Sequence, residues 1–599
     1  MPTITRRTIK GHTYYYAVQS GRINGKPRLT MQKYLGSADD IISAVELHRA
    51  PVKPQKIRVF SFGGVAAAWA MSQRLRLVDI IDQHLAKREQ GLSVGQYLAL
   101  AAINRCTAPK SKRSFAEWYA GTSLARLCPV STQLLASQRF WDHMQRVDAD
   151  AIQRIEADLT KHLLAEFGLD LRCLAYDTTN FFTFIDTFNH HNTLARRGKS
   201  KEHRVDLRIV GVALLVSMDF HVPLFHHTYP GNDHDSKTFA SVTEELVARY
   251  RVLEQHCQDI TLVFDKGNNS TDNLTGIAAT PFHFVGSLPY DQHPQLLEIP
   301  RKEFKPLSNP RLAGVEVYRT RMSVFGVERT VLVTYNENLY LSQTQTLLTE
   351  VAKRIEKLRD LQTSLRRRLE GSVTRGKDPT VESVRNQVRG ILKGQHMKTL
   401  ITTEVGAENG KATLQYQFDH AALELLESQV LGKTILFTDN DTWTDEEIVL
   451  AYRGQSHVED AFRTMKNPHF ISIRPMYHWT NSMIRVHVFY CVLALTIASL
   501  LVRQLHLKGI DVSIPRLFNL LNQIYEVALI WPRGPGRPSR QQRDSFQLSE
   551  MLPEQEEIFE VLELRSVGVA SLRSAGCIIR SSARISLQNQ REIDSLTRN

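Results

Sequence analysis

Along this chain the spacing of apolar residues switches between two periods, and the switches divide it. Alternating and aromatic-rich runs at residues 14–18 and 28–34, with Asn24-Gly25 between them, predict a hairpin in a small β unit over residues 1–50. From about 58 to 165 the apolar residues fall three or four apart, at 65–77, 94–103 and 152–167. That spacing predicts a helical unit over 55–165.

Strand signals then take over. Residues 171–176 form one strand, 207–218 and 222–229 a hairpin around Asp219-Phe220-His221, and 260–264 and 283–288 two more strands. Asp235 is placed to cap a helix running to about 256. The succession is three antiparallel strands followed by alternating helix and strand. It resembles that of ribonuclease-H-like domains and predicts the first part of an α/β mixed-sheet core over 168–290. Residues 291–443 exceed what such a core needs and read as an α+β insertion. Within it lies a long amphipathic helix carrying Leu347, Val351, Ile355, Leu358, Leu361, Leu365 and Leu369. That helix packs within the insertion or serves as a dimer seam, and the short heptad run with an Arg-crowded polar face favours the first. Residues 444–505 return to the core, and 506–599 read as a C-terminal helical region with a basic linker.

Composition narrows the partners. The 599 residues carry a formal net charge of +13 and are 42% hydrophobic, which allows several packed cores and favours a polyanionic partner. Residues 1–38 hold seven Lys or Arg and no Asp or Glu, and residues 531–543 are basic and acid-free. Either is a candidate phosphate-contacting surface or a solvated basic edge. The helical unit is a candidate for DNA binding or dimerisation, with a structural cap as the equal alternative. Six scattered cysteines without a Cys-x-x-Cys pair point to neither a zinc ribbon nor a disulfide framework, and hence to a reducing, cytoplasmic setting. The basic N-terminus lacks an apolar signal core. The apolar stretch 486–502 approaches the length of a membrane span, but His487, Thr496 and Ser499 within it favour a buried core helix.

Three acids stand out. Asp177 in Leu-Ala-Tyr-Asp-Thr-Thr and Asp265 in Leu-Val-Phe-Asp-Lys-Gly each end an apolar run, and Glu459 lies in a stretch with helical spacing. Singly, such an Asp is more often a turn former or cap, and Ser456-x-x-Glu459 also reads as a capping box. Together they suit two Mg²⁺ ions acting on a phosphodiester, with Asp177 bridging both, Asp265 completing one coordination sphere and Glu459 the other. Tyr452, Glu459 and Lys466 are seven apart in each step, so on an unbroken helix they share a face with Arg463 and Ser456, whereas Gly454 is a potential kink. Zinc at His190, His191, His226, His227 and His234 is the weaker metal reading, because His226 and His227 alternate across a strand.

Tyr-x6-Glu-x6-Lys from Tyr452 to Lys466 resembles the Tyr-Arg-Glu-Lys signature of bacterial insertion-sequence DDE transposases, the cut-and-paste group with a β-rich insertion before the catalytic Glu. Tyr176-Asp177-Thr178-Thr179, Ser200-Lys201, Arg204-x-Asp206-Leu207, Pro230-Gly231-Asn232-x-x-Asp235, Phe264-Asp265-Lys266-Gly267 and Phe462-Arg463-x-x-Lys466 extend the resemblance. The signature's Arg position holds Gln455, with Arg453 or Arg463 as candidate substitutes. The resemblance implies an Mg²⁺-dependent enzyme, Mn²⁺ substituting, with Asp177, Asp265 and Glu459 as catalytic metal ligands. It implies Tyr452, Arg463 and Lys466 as DNA contacts and double-stranded DNA, both element ends and target, as the partner. A homodimer pairing two ends, a nucleoid-associated place in the cytoplasm and no membrane association complete the expectation. A ribonuclease-H-like nuclease that cuts without joining, and a non-catalytic regulator derived from a transposase, are the alternatives.

Overall fold

The computed structural model describes residues 2–23, 26–49, 54–86, 91–186, 188–198, 204, 206–233, 260–373, 375–531 and 545–569. The Asn24-Gly25 turn, Ser200-Lys201, His234, the helix expected from Asp235 to about 256 and the basic run after Trp531 lie outside the described residues.

At the N-terminus β1 (Thr3–Ile9), β2 (His12–Ile23) and β3 (Lys26–Gly36) form an antiparallel sheet in that order. β4 (Lys56–Ser61) opens the region read as helical, and its partner comes from far along the chain. Helices Gly63–Arg74, Leu77–Gln83, Val94–Thr107, Ser137–Met144 and Ala149–Phe167 follow. A capping box of Ser93 and Gln96 starts the third of these, and left-handed Gly168 ends the last.

The core is a mixed nine-stranded sheet. Its strands in chain order are β5 (Cys173–Thr183), β6 (Arg208–Ser217), β7 (Pro223–Pro230), β8 (Thr261–Val263), β9 (His283–Leu288), β10 (Lys305–Pro306), β11 (Val315–Val324), β12 (Val327–Asn336) and, after the insertion's own hairpin, β15 (Lys433–Thr438). In space they run β10-β11-β12-β15-β9-β8-β5-β6-β7. β5 pairs antiparallel with β6 and parallel with β8, and β8 pairs parallel with β9. This mixed α/β arrangement is consistent with a ribonuclease-H-like core. β6, Arg-Ile-Val-Gly-Val-Ala-Leu-Leu-Val-Ser, is apolar at nearly every position and buried at every position after Arg208, the pattern of a strand covered on both faces.

Residues 291–443 do not stand apart from this sheet. β11, β12 and β15 lengthen it, because the two-residue Phe325-Gly326 turn, both residues at positive φ, folds β12 back on β11, and β15 then fills the place between β12 and β9. Only β13 (Ile401–Glu408) and β14 (Lys411–Phe418) form a separate two-stranded sheet. The 33-residue helix Glu337–Leu369 buries Leu347, Val351, Leu358 and Leu365 within the insertion's own small core, against Val384, Val388, Leu400 and Leu414. Its apolar stripe is therefore spent inside the chain.

Helix Asn481–His506 is long and apolar enough to cross a membrane, yet nearly all of its apolar window is buried within the protein, packed on helix Val94–Thr107 and on β7. β16 (Tyr525–Ile530) and β17 (Ser545–Leu548) then pair, and β16 also pairs with β4, so the C-terminal region adds strands to its helices. Cys106, Cys128, Cys173 and Cys491 are free.

Candidate active site

The parallel pairing of β5 and β8 sets the two aspartates side by side. Ala175 is opposite Val263, and two residues further along each chain stand Asp177 and Asp265. Side chains two apart in extended chain share a face, so both carboxylates emerge at one height on one face. Asp265 is extended and accepts the Lys266 amide at 2.7 Å, opening a short 3₁₀ turn at Lys266–Asn268. The Ser287 hydroxyl, on neighbouring β9, reaches Asp265 Oδ1 at 3.4 Å.

β15 delivers the third acid. After it, a capping box of Thr444 and Glu447 starts helix Asp445–Arg453, which stops at buried Gly454. A Cβ at Gly454 would lie 2.4 Å from Met218 Sδ, so a larger residue there would have to displace the Met218 side chain. A second helix, Ser456–Lys466, begins at once, with Gln455 at its N-cap making no side-chain cap. The unbroken face expected through Tyr452, Glu459 and Lys466 is thus interrupted between the first two. Ser456 donates its hydroxyl to the Arg453 carbonyl at 2.9 Å, and the capping box expected with Glu459 does not form.

Tyr452 lies on the first of these helices. Burial pushes its phenol up to about 12; the Ser287 hydroxyl works against that shift, and the charges of Asp265, Tyr290 and Glu459 add to it. The phenol is therefore protonated at neutral pH. The second helix packs on β5 and β6, burying Val458, Ala461, Phe462 and Met465 while Glu459 and Arg463 stay exposed. Arg463 pairs with Asp460 one turn earlier. Lys466 donates to the Thr179 hydroxyl at 2.7 Å and lies 5.7 Å from the Phe181 ring centre. Thr179 is two residues beyond Asp177 on β5, so Lys466 pins the acid helix beside that aspartate.

Ser287 and Thr179 escape sequence reading. Ser287 is the lone hydroxyl in an apolar strand, and only the pairing of β8 with β9 brings it to Asp265. Thr179 sits in the quoted Asp-Thr-Thr motif, but its link to Lys466 spans 287 residues.

The family described as "Transposase DDE domain" matches residues 182–496, more than half of the chain. The chain belongs to the DDE transposase family. The match begins five residues after Asp177 and includes Asp265 and Glu459, so Asp177 rests on the strand register. Among solved structures, a cryo-EM structure of piggyBac transposase in a synaptic complex with hairpin DNA shares 8% identity over 76% of this chain and 79% of that one. At a TM-score of 0.33 that likeness carries no argument. No curated protein matches the chain.

Divalent metal fits the transposase's donor set. Asp177, Asp265 and Glu459 offer carboxylate oxygens, the ligands hard cations prefer, and the two aspartates already share an edge. Among the described residues, no three His, Cys, Asp or Glu side chains stand close enough together to hold one ion. The histidines make no zinc site there either: His226 is buried against Glu156, while His227 stacks on Tyr229.

The segment after the acid helix is held from beneath. Arg105 donates to the Ser472 carbonyl at 2.9 Å, the Arg105 carbonyl accepts from the Ile471 amide at 2.9 Å, and His487 Nε2 donates to the Ile473 carbonyl at 2.8 Å. Ile471 has φ 50°, a left-handed backbone that a β-branched residue adopts only under constraint. Arg105→Met leaves the Ser472 carbonyl buried without this donor, and a loss of about 1–3 kcal/mol is expected. Thermal unfolding of the purified variant checks it.

Proposed function

We propose that the chain is the transposase of a bacterial insertion sequence, which binds the terminal inverted repeats as duplex DNA, cleaves the ends and joins their 3′-hydroxyls to target DNA. The observation that supports the proposal is the matched register of Asp177 and Asp265 on the adjacent parallel strands β5 and β8. In this reading, Mg²⁺ held by Asp177, Asp265 and Glu459, or Mn²⁺ in its place, supplies activation of the attacking oxygen and neutralisation of the leaving one.

The chain's own residues orient the DNA. In the cleavage step water forms the new P–O bond, the P–O3′ bond breaks, and the 3′-oxygen leaves as a hydroxyl. In the joining step that hydroxyl attacks a target phosphorus and frees a target 3′-oxygen. Tyr452 offers a neutral phenol that feels the charge of both Asp265 and Glu459. Arg463 is exposed for a phosphate contact, and Lys466 places its positive charge beside Thr179, near where a phosphate would lie. Tyr452, Glu459 and Lys466 then correspond to the Tyr-Arg-Glu-Lys signature, with Gln455 at the Arg position. The working form is a homodimer with paired ends, acting at the nucleoid in the cytoplasm.

The test is incubation of purified protein with Mg²⁺, a labelled duplex carrying the repeat that flanks the coding region, and a target plasmid. Both cleaved ends and joined products are expected. Cleavage without joining would instead identify a nuclease, and binding without either a regulator. Since a basic protein releases counterions from each phosphate it neutralises, end affinity should fall by about 10³-fold or more between about 50 and 200 mM salt if six or more phosphates are contacted. A salt titration of binding checks this, and a flat response contradicts it.

A further inference from the structure

The N-terminal sheet presents two unlike faces. Directly opposed residues of antiparallel strands share a face, so the pairs Thr5–Tyr16, Arg7–Tyr14 and Tyr16–Tyr34 define one side. That side carries a cluster of its own rings, with Thr5, Arg7 and Tyr34 still exposed. Tyr34 lies 5.9 Å from Tyr14 and 5.2 Å from Tyr16 between centroids, Arg7 lies over Tyr16 at 5.5 Å, and Val18 is 8% exposed. The other side is defined by the row Ile4–Ala17–Lys33 and the pairs Arg6–Tyr15 and Gln19–Met31. Here Ile4, Arg6, Gln19, Met31 and Lys33 are all exposed around the small Ala17.

We propose that this second face enters the major groove of the element's own end DNA, with Arg6, Gln19 and Lys33 directed at base edges. The inference rests on the transposase reading above and assigns end recognition to the β unit, whereas the sequence leaves the helical unit and the basic N-terminal segment both as candidates for DNA contact. Three observations carry it. Charge is of one sign, with seven Lys or Arg and no Asp or Glu over residues 1–38. The face is exposed and polar at three corners around a residue small enough to let the sheet approach. The side-chain types are those that discriminate bases in the major groove, which is wide enough to admit β-strands: Arg and Lys pair with guanine, and Gln pairs with adenine. A fixed sequence is what such side chains read, and the terminal repeat is the fixed sequence of the proposed reaction.

The experiment uses the full chain and two fluorescent duplexes of equal length, one carrying the flanking repeat and one of unrelated sequence. The ratio of the two affinities measures preference. Arg6→Ala/Gln19→Ala/Lys33→Ala is expected to lower that ratio at least about tenfold, while Thr5→Ala, on the ring-bearing face, keeps the parent ratio. Circular dichroism of each variant confirms folding. A triple variant with the parent's preference overturns the inference, as does a Thr5→Ala variant that loses preference equally, or a parent protein with none. Failure of the transposase reading shows separately, as absence of Mg²⁺-dependent end cleavage by the parent protein.

Discussion

Asp177→Ala, Asp265→Ala and Glu459→Ala are each expected to reduce end cleavage by about 10³-fold or more, the scale on which a catalytic unit fails when one member is removed. The fold should survive all three. Glu459 is exposed on a helix surface, where alanine is a good helix former, so its removal empties no core. Asp177 is half-buried within β5 and Asp265 half-buried just beyond β8, and Asp265 spends one oxygen on the Lys266 amide and the Ser287 hydroxyl. Losing those bonds costs on the order of 1 kcal/mol, too little to unfold the protein. Single-turnover cleavage of a labelled end duplex, with end binding and circular dichroism on the same preparations, separates lost chemistry from lost structure. A variant that cleaves like its parent leaves the catalytic set.

Glu526→Ala should produce the largest loss of stability. Arg126 and Glu526 form a bidentate ion pair with side chains 7% and 5% exposed, joining the segment after the helix Phe115–Ala120 to β16. The Arg126 guanidinium also lies 5.6 Å from the Phe546 ring centre on β17. Removing one partner strands the other charge in a buried place, which costs about 3–5 kcal/mol, whereas replacing both with apolar groups of similar size is often neutral. Thermal unfolding should therefore show a marked fall for Glu526→Ala and recovery in Arg126→Met/Glu526→Leu. A single variant as stable as the parent would show that the pair does not tie the two ends of the chain together.

The sequence exposes the parts of this molecule that depend on local period. The strand carrying Asp177, the hairpin after it, the strand before Asp265 and the long insertion helix all follow from apolar spacing, and the two aspartates are marked by the apolar runs before them, although β5 continues past Asp177 to Thr183. What depends on pairing is hidden. Nothing local shows that β11, β12 and β15 extend the core sheet, because a strand's neighbours are chosen by packing across hundreds of residues. The break before Glu459 is signalled by Gly454, yet the Met218 side chain that packs beside that glycine lies more than two hundred residues away. Ser287, Thr179 and Arg105 reach the site only through such distant partners, so residue type alone could not single them out.

The central claim, that Asp265 acts with Asp177 and Glu459 through a bound cation, is tested most directly by Asp265→Cys assayed with two metals. A thiolate is a poor ligand for hard Mg²⁺ and a better one for Mn²⁺. The account predicts that the variant fails to cleave the end duplex in Mg²⁺ and regains measurable cleavage in Mn²⁺, while the parent works in both. Parent-like cleavage by Asp265→Cys in Mg²⁺, or no revival at all in Mn²⁺, would contradict it.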